Sequence, residues 1–502
     1  LFFRRGGDIL GLGRDLGSGV VNPARGIVDL FRPLAQILHI FLDGGGIFLH
    51  ALNHRANLRE ALARCRDVFA SLLGFLATRF HRLHRLRRFL LDGTDELFDL
   101  LRGVRDTALR QFPGVFYIER LRQIVAADNA HGRVLAWEVL SPVEEQTVEL
   151  RVQGSEEVRR IAAEDARFTD DGTEVYQYTA DLDHLTAGNS YQYRITAGDA
   201  ATDWQMLYAP TVNESYKMLI FPDAQSSDYA DWKQLAHLAW ARNTDAQLFA
   251  CMGDLVDNGE DRTQWAAFFR GIEEVMRVIP GAPVMGNHET YDLAWKTRLP
   301  EAYLDYFKTP PNGSKAFERY YYSFDYGAVH YIVLCTQQKE LAGFKDRLVS
   351  EQLAWIRRDL RAHRKRWNVV LMHKDVLQYR IHGRPEREEG IDEENGRVWM
   401  PVFDELAIDV VFTAHLHTYR NRGHIDHFTK TPDKKGPLYI LTGVAGDVRY
   451  PNLWIDHAFD EVTLPQPETD NYLTMEVTHD ALEIACFLPD GTEMDRVRVT
   501  KK

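Results

Sequence analysis

Only four cysteines occur in the 502 residues, Cys65, Cys251, Cys335 and Cys486, and no two of them form a CxxC pair. That spacing excludes a disulfide scaffold and a cysteine-liganded zinc site. Long apolar runs are missing as well. The longest uncharged ones, Pro33–Leu42 and Val68–Thr78, are about half the ~20 residues a bilayer-crossing helix needs, so no transmembrane segment is expected. No signal peptide is visible, because Arg4-Arg5 run into Gly6-Gly7-Asp8 rather than an apolar stretch. Positive charge is in short supply: 60 Lys and Arg face 73 Asp and Glu, a formal net of −13. A chain of that sign does not coat nucleic acid, and no nucleic-acid partner is expected. With 35 Gly, 19 Pro and 11% aromatics, it is neither collagen-like nor wholly disordered.

What is present divides into three parts. Residues 1–112 hold 17 Arg against 11 Asp and Glu, no methionine precedes Met206 and no lysine precedes Lys217. Apolar residues at helical spacing between the arginines, as in Leu58–Leu91, predict helices. Two readings stay open for this segment. One is a basic helical domain that touches anionic lipid or a partner; the other is an upstream extension of the reading frame. Residues 113–212 predict an all-β module, with alternating runs at Gln123–Ala127, Arg133–Leu140, Thr147–Val152, Glu174–Ala180, Tyr191–Ala197 and Trp204–Tyr208. Asp171-Gly172 and Ala187-Gly188-Asn189 supply turns at the spacing of a sandwich. Trp137, in mid-strand, is placed to fill the space between two sheets. The run from Leu185 to Tyr191-Gln192-Tyr193-Arg194 resembles the tyrosine corner of fibronectin type III domains.

Residues 213–502 alternate buried-looking strands with amphipathic stretches and predict a layered α/β domain. Its strands run into polar clusters. Lys217–Phe221 leads to Asp223-Ala224-Gln225, Gln247–Met252 to Gly253-Asp254-Leu255-Val256-Asp257-Asn258, and Pro283–Met285 to Gly286-Asn287-His288-Glu289. Asn368–Met372 ends at His373, and Asp409–Phe412 at Ala414-His415-Leu416-His417. Each cluster alone has a bland explanation: Gly-Asp and Gly-Asn pairs make turns, and a lone buried histidine is commonly a hydrogen-bonded core residue. On an extended strand His415 and His417, two apart, would face the same side. Five such ends in order are harder to obtain by packing alone, because ligands of open α/β sheets gather at the carboxyl ends of strands.

The order D-x-Q, GDLVDNG, GNHE, VLMH, AHLH resembles the signature of the metallophosphoesterase superfamily. The β module ahead of it, Tyr321-Tyr322-Ser323-Phe324-Asp325-Tyr326-Gly327 and Tyr419-Arg420-Asn421 narrow the resemblance to the purple acid phosphatase branch, over residues 118–500 or so. The fold this implies is α/β, a layered αββα sandwich, here preceded by the fibronectin type III-like β sandwich and the helical amino-terminal segment. The function implied is a metal-dependent phosphoric monoester hydrolase acting on a small phosphoester. Phosphodiester cleavage at the same site is a close variant, and a binding protein with a degenerate metal site is the alternative of a different class. Proteins with this domain order are often exported.

By the resemblance, two divalent or trivalent ions (Fe, Zn or Mn) occupy the site. Two cations about 3.5–4 Å apart offset the charge that makes a phosphate ester resist attack and lower the pKa of bound water. Asp254 is expected to bridge them, with Asp223 and His417 on the first metal and Asn287, His373 and His415 on the second. His288 is expected to be the acid that protonates the leaving group, or a phosphate contact, oriented by Glu289. His382 matches where purple acid phosphatases often place a further substrate-facing histidine, the other reading being a surface-loop histidine; Arg384 and Arg387 are either contacts for an anionic substrate or a solvated charge run. Two departures from the family stand out. Asp257 occupies the position of the tyrosinate that colours purple acid phosphatases, so no purple colour is expected. Gln225 stands where many relatives carry a histidine, and offers one neutral carbonyl oxygen instead.

Overall fold

The computed structural model describes residues 118–143, 145–378, 380–382, 390–450, 453–464 and 470–501. The basic segment 1–112 expected to be helical, and Arg384 and Arg387, lie outside the described residues. Two large sheets form the centre. In the first, eleven-stranded sheet, Tyr216–Phe221, Ala246–Cys251 and Gly281–Pro283 run parallel, and Tyr472–Val477, Ala481–Phe487 and Glu493–Thr500 extend it antiparallel on one side. In the second, eight-stranded sheet, Val329–Leu334, Trp367–Met372, Val410–Thr413 and Leu438–Thr442 are parallel, with Tyr322–Tyr326 antiparallel on one edge and Tyr419–Asp426 beyond Leu438–Thr442 on the other.

Alternation along each strand decides the layering. Met218 and Ile220 pack against Val329, Tyr331, Val369, Leu371, Val410 and Phe412 in the space between the sheets. Leu219 and Phe221, facing the other way, pack with Trp232, Leu235 and Phe268 of the helices Ala230–Arg242 and Arg262–Met276. Ile332, Val370 and Val411 likewise face outward, in the same core as Trp355, Ile356, Trp399 and Phe403 of the helices Leu348–His363 and Gly396–Glu405. Strands buried on both faces need near-continuous apolar sequence, and the four-layer α/β/β/α arrangement follows.

The β module is two antiparallel layers around Trp137, Val148, Leu150, Tyr178, Tyr193, Ile195 and Leu207. Trp137 is fully buried and its indole N–H donates to Gln146 Oε1 at 2.6 Å. The Tyr191 hydroxyl accepts the backbone N–H of Thr186 at 2.8 Å, the upstream backbone contact that defines a tyrosine corner. One of its layers is no separate sheet. Ile118–Ile124 pairs in parallel with Gly281–Pro283 at Ile124↔Gly281, so Arg133–Val139 and Thr173–Leu182 continue the first sheet outward. The described residues accordingly form one unit. No helix among the described residues is long and apolar enough to cross a membrane.

Candidate metal centre

Loops leaving the strands Tyr216–Phe221, Ala246–Cys251 and Leu438–Thr442 are stitched together before any side chain is considered. The Asp223 carbonyl accepts the N–H groups of Ala445 (2.8 Å) and Gly446 (3.0 Å), and the Asp254 carbonyl accepts those of Ala224 (3.1 Å) and Gln225 (2.8 Å). The glycines are required by crowding. A Cβ on Gly253, whose φ is +96°, would stand 2.5 Å from His373 Nδ1, and one on Gly286 would stand 2.1 Å from Asp254 Oδ1. Asp254 itself has φ 47°, a left-handed conformation that Asp tolerates better than most residues.

His415 and His417 do not sit on an extended strand as expected. Val410–Thr413 ends first, and both histidines take left-handed backbone, φ 77° and 53°. Rather than sharing one side, they go to different partners. Ligand atoms of Asp254, His373 and His415 lie within 4.8 Å of one another, and so do those of Asp223, Asp254 and His417. Asp254 belongs to both groups. His373 Nε2 is 3.0 Å from Asp254 Oδ2 and 3.2 Å from Asn287 Oδ1; His417 Nε2 is 3.2 Å from Asp223 Oδ2. The His415 backbone N–H reaches both Asp223 oxygens at 3.1 Å.

Backbone carbonyls set the tautomers. His373 Nδ1 is 2.9 Å from Met252 O, and His417 Nδ1 bonds Val448 O, so each donates from Nδ1 and turns Nε2 inward, the orientation of a ligating imidazole. Of the candidate ligands, His415 Nδ1 and Gln225 Oε1 are buried with no hydrogen-bond partner, and both suit a cation. Among the described residues only histidines come within 4 Å of the Asp223 and Asp254 carboxylates; no Lys or Arg does. Burial alone would push His373 down, but Asp254 and Asp223 outweigh it and raise it to about 9. Burial and the charge of His373 drive His415 well below the usual range, leaving it a neutral donor. Burial works against Asp254 ionising, yet His373 and His288 hold it low. Paired buried carboxylates, neutral imidazole nitrogens and amide oxygens make a donor set that fits two borderline or hard cations.

His288 adjoins the bridge without being tied into it. Its backbone N–H donates to Asp254 Oδ1 at 2.9 Å, its Nδ1 lies 2.7 Å from Asp257 O, and its Nε2 stands 3.9 Å from Asp254 Oδ2. Glu289 does not hydrogen-bond the His288 ring as expected. Fully buried, it accepts backbone N–H groups of Gly286 (2.6 Å), Leu255 (2.8 Å) and Asp254 (3.1 Å), and so holds two loops together. Burial and the Asp254 charge push it up to about 7 against those donors. Asp257 is half-buried and raised by burial. His382 is exposed; its N–H donates to Leu453 O at 2.9 Å. Ile381 just before it packs with Leu416 and Trp454, which puts its loop beside the histidine pair with no bond from its ring to the cluster.

The carbonyls of Met252, Val448 and Asp257 escape sequence reasoning because a backbone oxygen carries no residue signature. The aromatic rings at the rim were within reach: Tyr291 and Trp295 follow GNHE directly and stand 5.6 and 5.8 Å from His288, ring to ring.

Residues 201–419 match the calcineurin-like phosphoesterase family. A phosphoenolpyruvate phosphatase of Allium cepa is 26% identical over 304 residues, 55% of this chain and 59% of that protein. Purple acid phosphatase 21 of Arabidopsis thaliana is 28% identical over 221 residues, 43% of this chain and 47% of that protein. The chain thus spans about half the length of the curated relatives it matches. The structure of purple acid phosphatase PPD1 from yellow lupin superposes with a TM-score of 0.65 at 14% identity, covering 76% of this chain and 74% of that one. A PhoD structure superposes at 0.55 and 13%, covering 76% and 92%. Residues 201–419 are thus similar to calcineurin-like phosphoesterases, and the mixed α/β fold is similar to that of a purple acid phosphatase.

Proposed function

We propose that this chain is a metal-dependent phosphoric monoester hydrolase with a dinuclear centre. Asp223, His417 and the Gln225 carbonyl would hold one cation, His373, His415 and Asn287 the other, and Asp254 both. The observation that carries the reading is the pair of three-residue ligand groups sharing the single carboxylate of Asp254. Two cations held there would offset the charge of a phosphate ester and make water acidic enough to attack it near neutral pH.

The chain's own residues do the rest. Glu289 fixes the two loops that carry Asp254 and Asn287, so the ligands are preorganised. His288, held at Nδ1 by the Asp257 carbonyl, keeps Nε2 to bring a proton to the leaving oxygen. His382 stays a candidate substrate contact from the neighbouring loop. In this reading residues 113–212 are a fibronectin type III-like brace for the hydrolase domain at 213–502, joined to it through Ile124 and Gly281.

Purified protein supplied with Mn, Zn or Fe should hydrolyse p-nitrophenyl phosphate faster than its bis-ester, and elemental analysis should find about two ions per chain. Asp254→Ala should abolish both. Metal-free protein with no turnover under any of these conditions would return the chain to the class of binding proteins.

A further inference from the structure

The centre is polar, yet one side of its rim is not. Seven large apolar side chains remain exposed among the described residues, and two of them stand ring to ring with site histidines: Trp295, 56% exposed, and Tyr450, 37% exposed. Trp295 meets His288 at 5.8 Å with the planes at 90°, and Tyr291, half-buried, lies 6.0 Å from Trp295. Leu293, 54% exposed, belongs to the same turn. Leaving apolar surface in water is unfavourable by about 25 cal/mol per Å², so a ligand ring that covers the exposed indole gains by doing so.

The turn holds Trp295 in place. Asp292 Oδ1 accepts the N–H groups of Ala294 (2.9 Å) and Lys296 (2.8 Å), the Asp292 N–H donates to Lys296 O (2.8 Å), and the Trp295 N–H donates to Asp292 O (2.8 Å). Leu293 N–H is anchored to Glu260 Oε2 at 3.0 Å. An indole fixed in advance loses little freedom when a ligand stacks on it.

Resting on the hydrolase reading, the geometry of His288 says which part of a substrate lies there. Nδ1 is occupied by Asp257 O, so Nε2 is the nitrogen presented to the leaving oxygen. Whatever is bonded to that oxygen extends away from the carboxylates, past the imidazole, into the space beside Trp295 and Tyr291. We infer that the site selects phosphate monoesters whose leaving group is a flat aromatic ring, stacked on Trp295. Hydrolysis then breaks the bond between phosphorus and the aryl oxygen, water supplies the new oxygen, and the phenol leaves with a proton from His288.

The test compares kcat/KM for phenyl phosphate with that for ethyl phosphate in the metal-loaded full chain. Intrinsic leaving-group reactivity cancels when the ratio is compared between variants. Trp295→Ala should lower the ratio about fivefold or more, the low end of what aromatic stacking contributes, whereas Trp295→Phe should keep it within about threefold. A ratio that does not move while both esters slow together would mean that Trp295 only braces His288, and would overturn the inference. Should the wild-type protein turn over neither ester, the hydrolase reading fails separately. Calorimetry with phenylphosphonate and ethylphosphonate then decides. A preference of about tenfold for the phenyl compound that Trp295→Ala removes supports the stacking wall, and equal affinities refute it.

Discussion

Two places in this molecule set buried histidine against paired aspartates, and they differ in what the ring nitrogens are left to do. At His330, Nδ1 lies 2.7 Å from Asp325 Oδ1 and Nε2 lies 2.9 Å from Asp359 Oδ2. The spare oxygens are engaged too, Asp359 by the Ser323 hydroxyl at 2.9 Å and Asp325 by Lys365 Nζ at 3.3 Å. Every donor has an acceptor, and nothing is left for a ligand. At the strand ends, His373 and His417 each commit Nδ1 to a backbone carbonyl and turn Nε2 to a carboxylate, while His415 Nδ1 and Gln225 Oε1 are buried with no hydrogen-bond partner. A closed histidine–aspartate network is structural. One with acceptors to spare and too little positive charge has the form of a cation site.

If that distinction holds, breaking the shared carboxylate has the largest effect. Asp254→Asn keeps the shape but removes a charge from both ligand groups. Phosphomonoester turnover should fall by about a thousandfold or more, and bound metal by two ions, read by elemental analysis beside the assay. His417→Ala should remove one ion and leave the group around His373 loaded. His330→Gln should change neither reading. A drop in metal content in His330→Gln would erase the contrast between the two regions.

Next in size is the stability the cations bring. A ligand that binds only the folded state adds about 2.7 kcal/mol per site at a hundred times its dissociation constant. Chelation should therefore lower the unfolding free energy of the wild-type protein by about 3–5 kcal/mol and that of Asp254→Asn by much less. Equal losses in the two proteins would mean that the metal acts elsewhere.

Much of this centre was legible in the chain. Apolar runs such as Lys217-Met218-Leu219-Ile220-Phe221 must be buried on both faces, and each of the five ends in Asp, Asn or His, so convergence could be argued before coordinates. The rest depended on conformation. Left-handed backbone at His415 and His417 leaves no trace in Ala-His-Leu-His, and that backbone sends the two rings to different groups. Glu289 next to His288 suggested a direct partnership, but at a fully buried position the carboxylate goes to the N–H groups that surround it. The helix Gly396–Glu405 is masked by Gly396 and Pro401, two poor helix formers that tertiary packing of Trp399, Met400 and Phe403 overrides. Nor did the module's alternating strands reveal that Ile124 would pair with Gly281, since pairing partners far apart in sequence have no local signal.

A smaller effect sharpens the difference between the two ligand groups. Each has three imidazole or carboxylate donors and one amide oxygen, from Asn287 in the group around His373 and from Gln225 in the Asp223 group, where a histidine would be the stronger donor. Gln225→His should tighten the Asp223 site, lowering the metal concentration for half-maximal activity by about tenfold, a typical size for improving one contact at such a centre. No shift in the metal titration would mean that the Gln225 carbonyl does not reach the ion.

The smallest effect tests the closed network by its own protonation. With both ring nitrogens at carboxylates, His330 is a donor on each side only as imidazolium. Burial opposes that charge, but Asp325 and Asp359 prevail and raise its pKa above the ordinary 6.5. Because the folded value lies above the unfolded one, the stabilisation is fully present below about pH 6.5 and is lost as the pH rises through the folded value. Hydrogen bonds to a charged group contribute about 1.5–3 kcal/mol. Denaturant unfolding of His330→Gln should thus show a deficit of about that size at pH 6, shrinking toward pH 9. Asp325 also carries backbone bonds into the β module, from its N–H to Ala127 O at 2.8 Å and from Asn129 N–H to its carbonyl at 3.2 Å. The loss at high pH should therefore loosen amide-exchange protection at residues 127–129 before it reaches the strands that end in the metal centre. A deficit that stays constant across the range would show that His330 is held neutral, and that charge plays no part in closing this network.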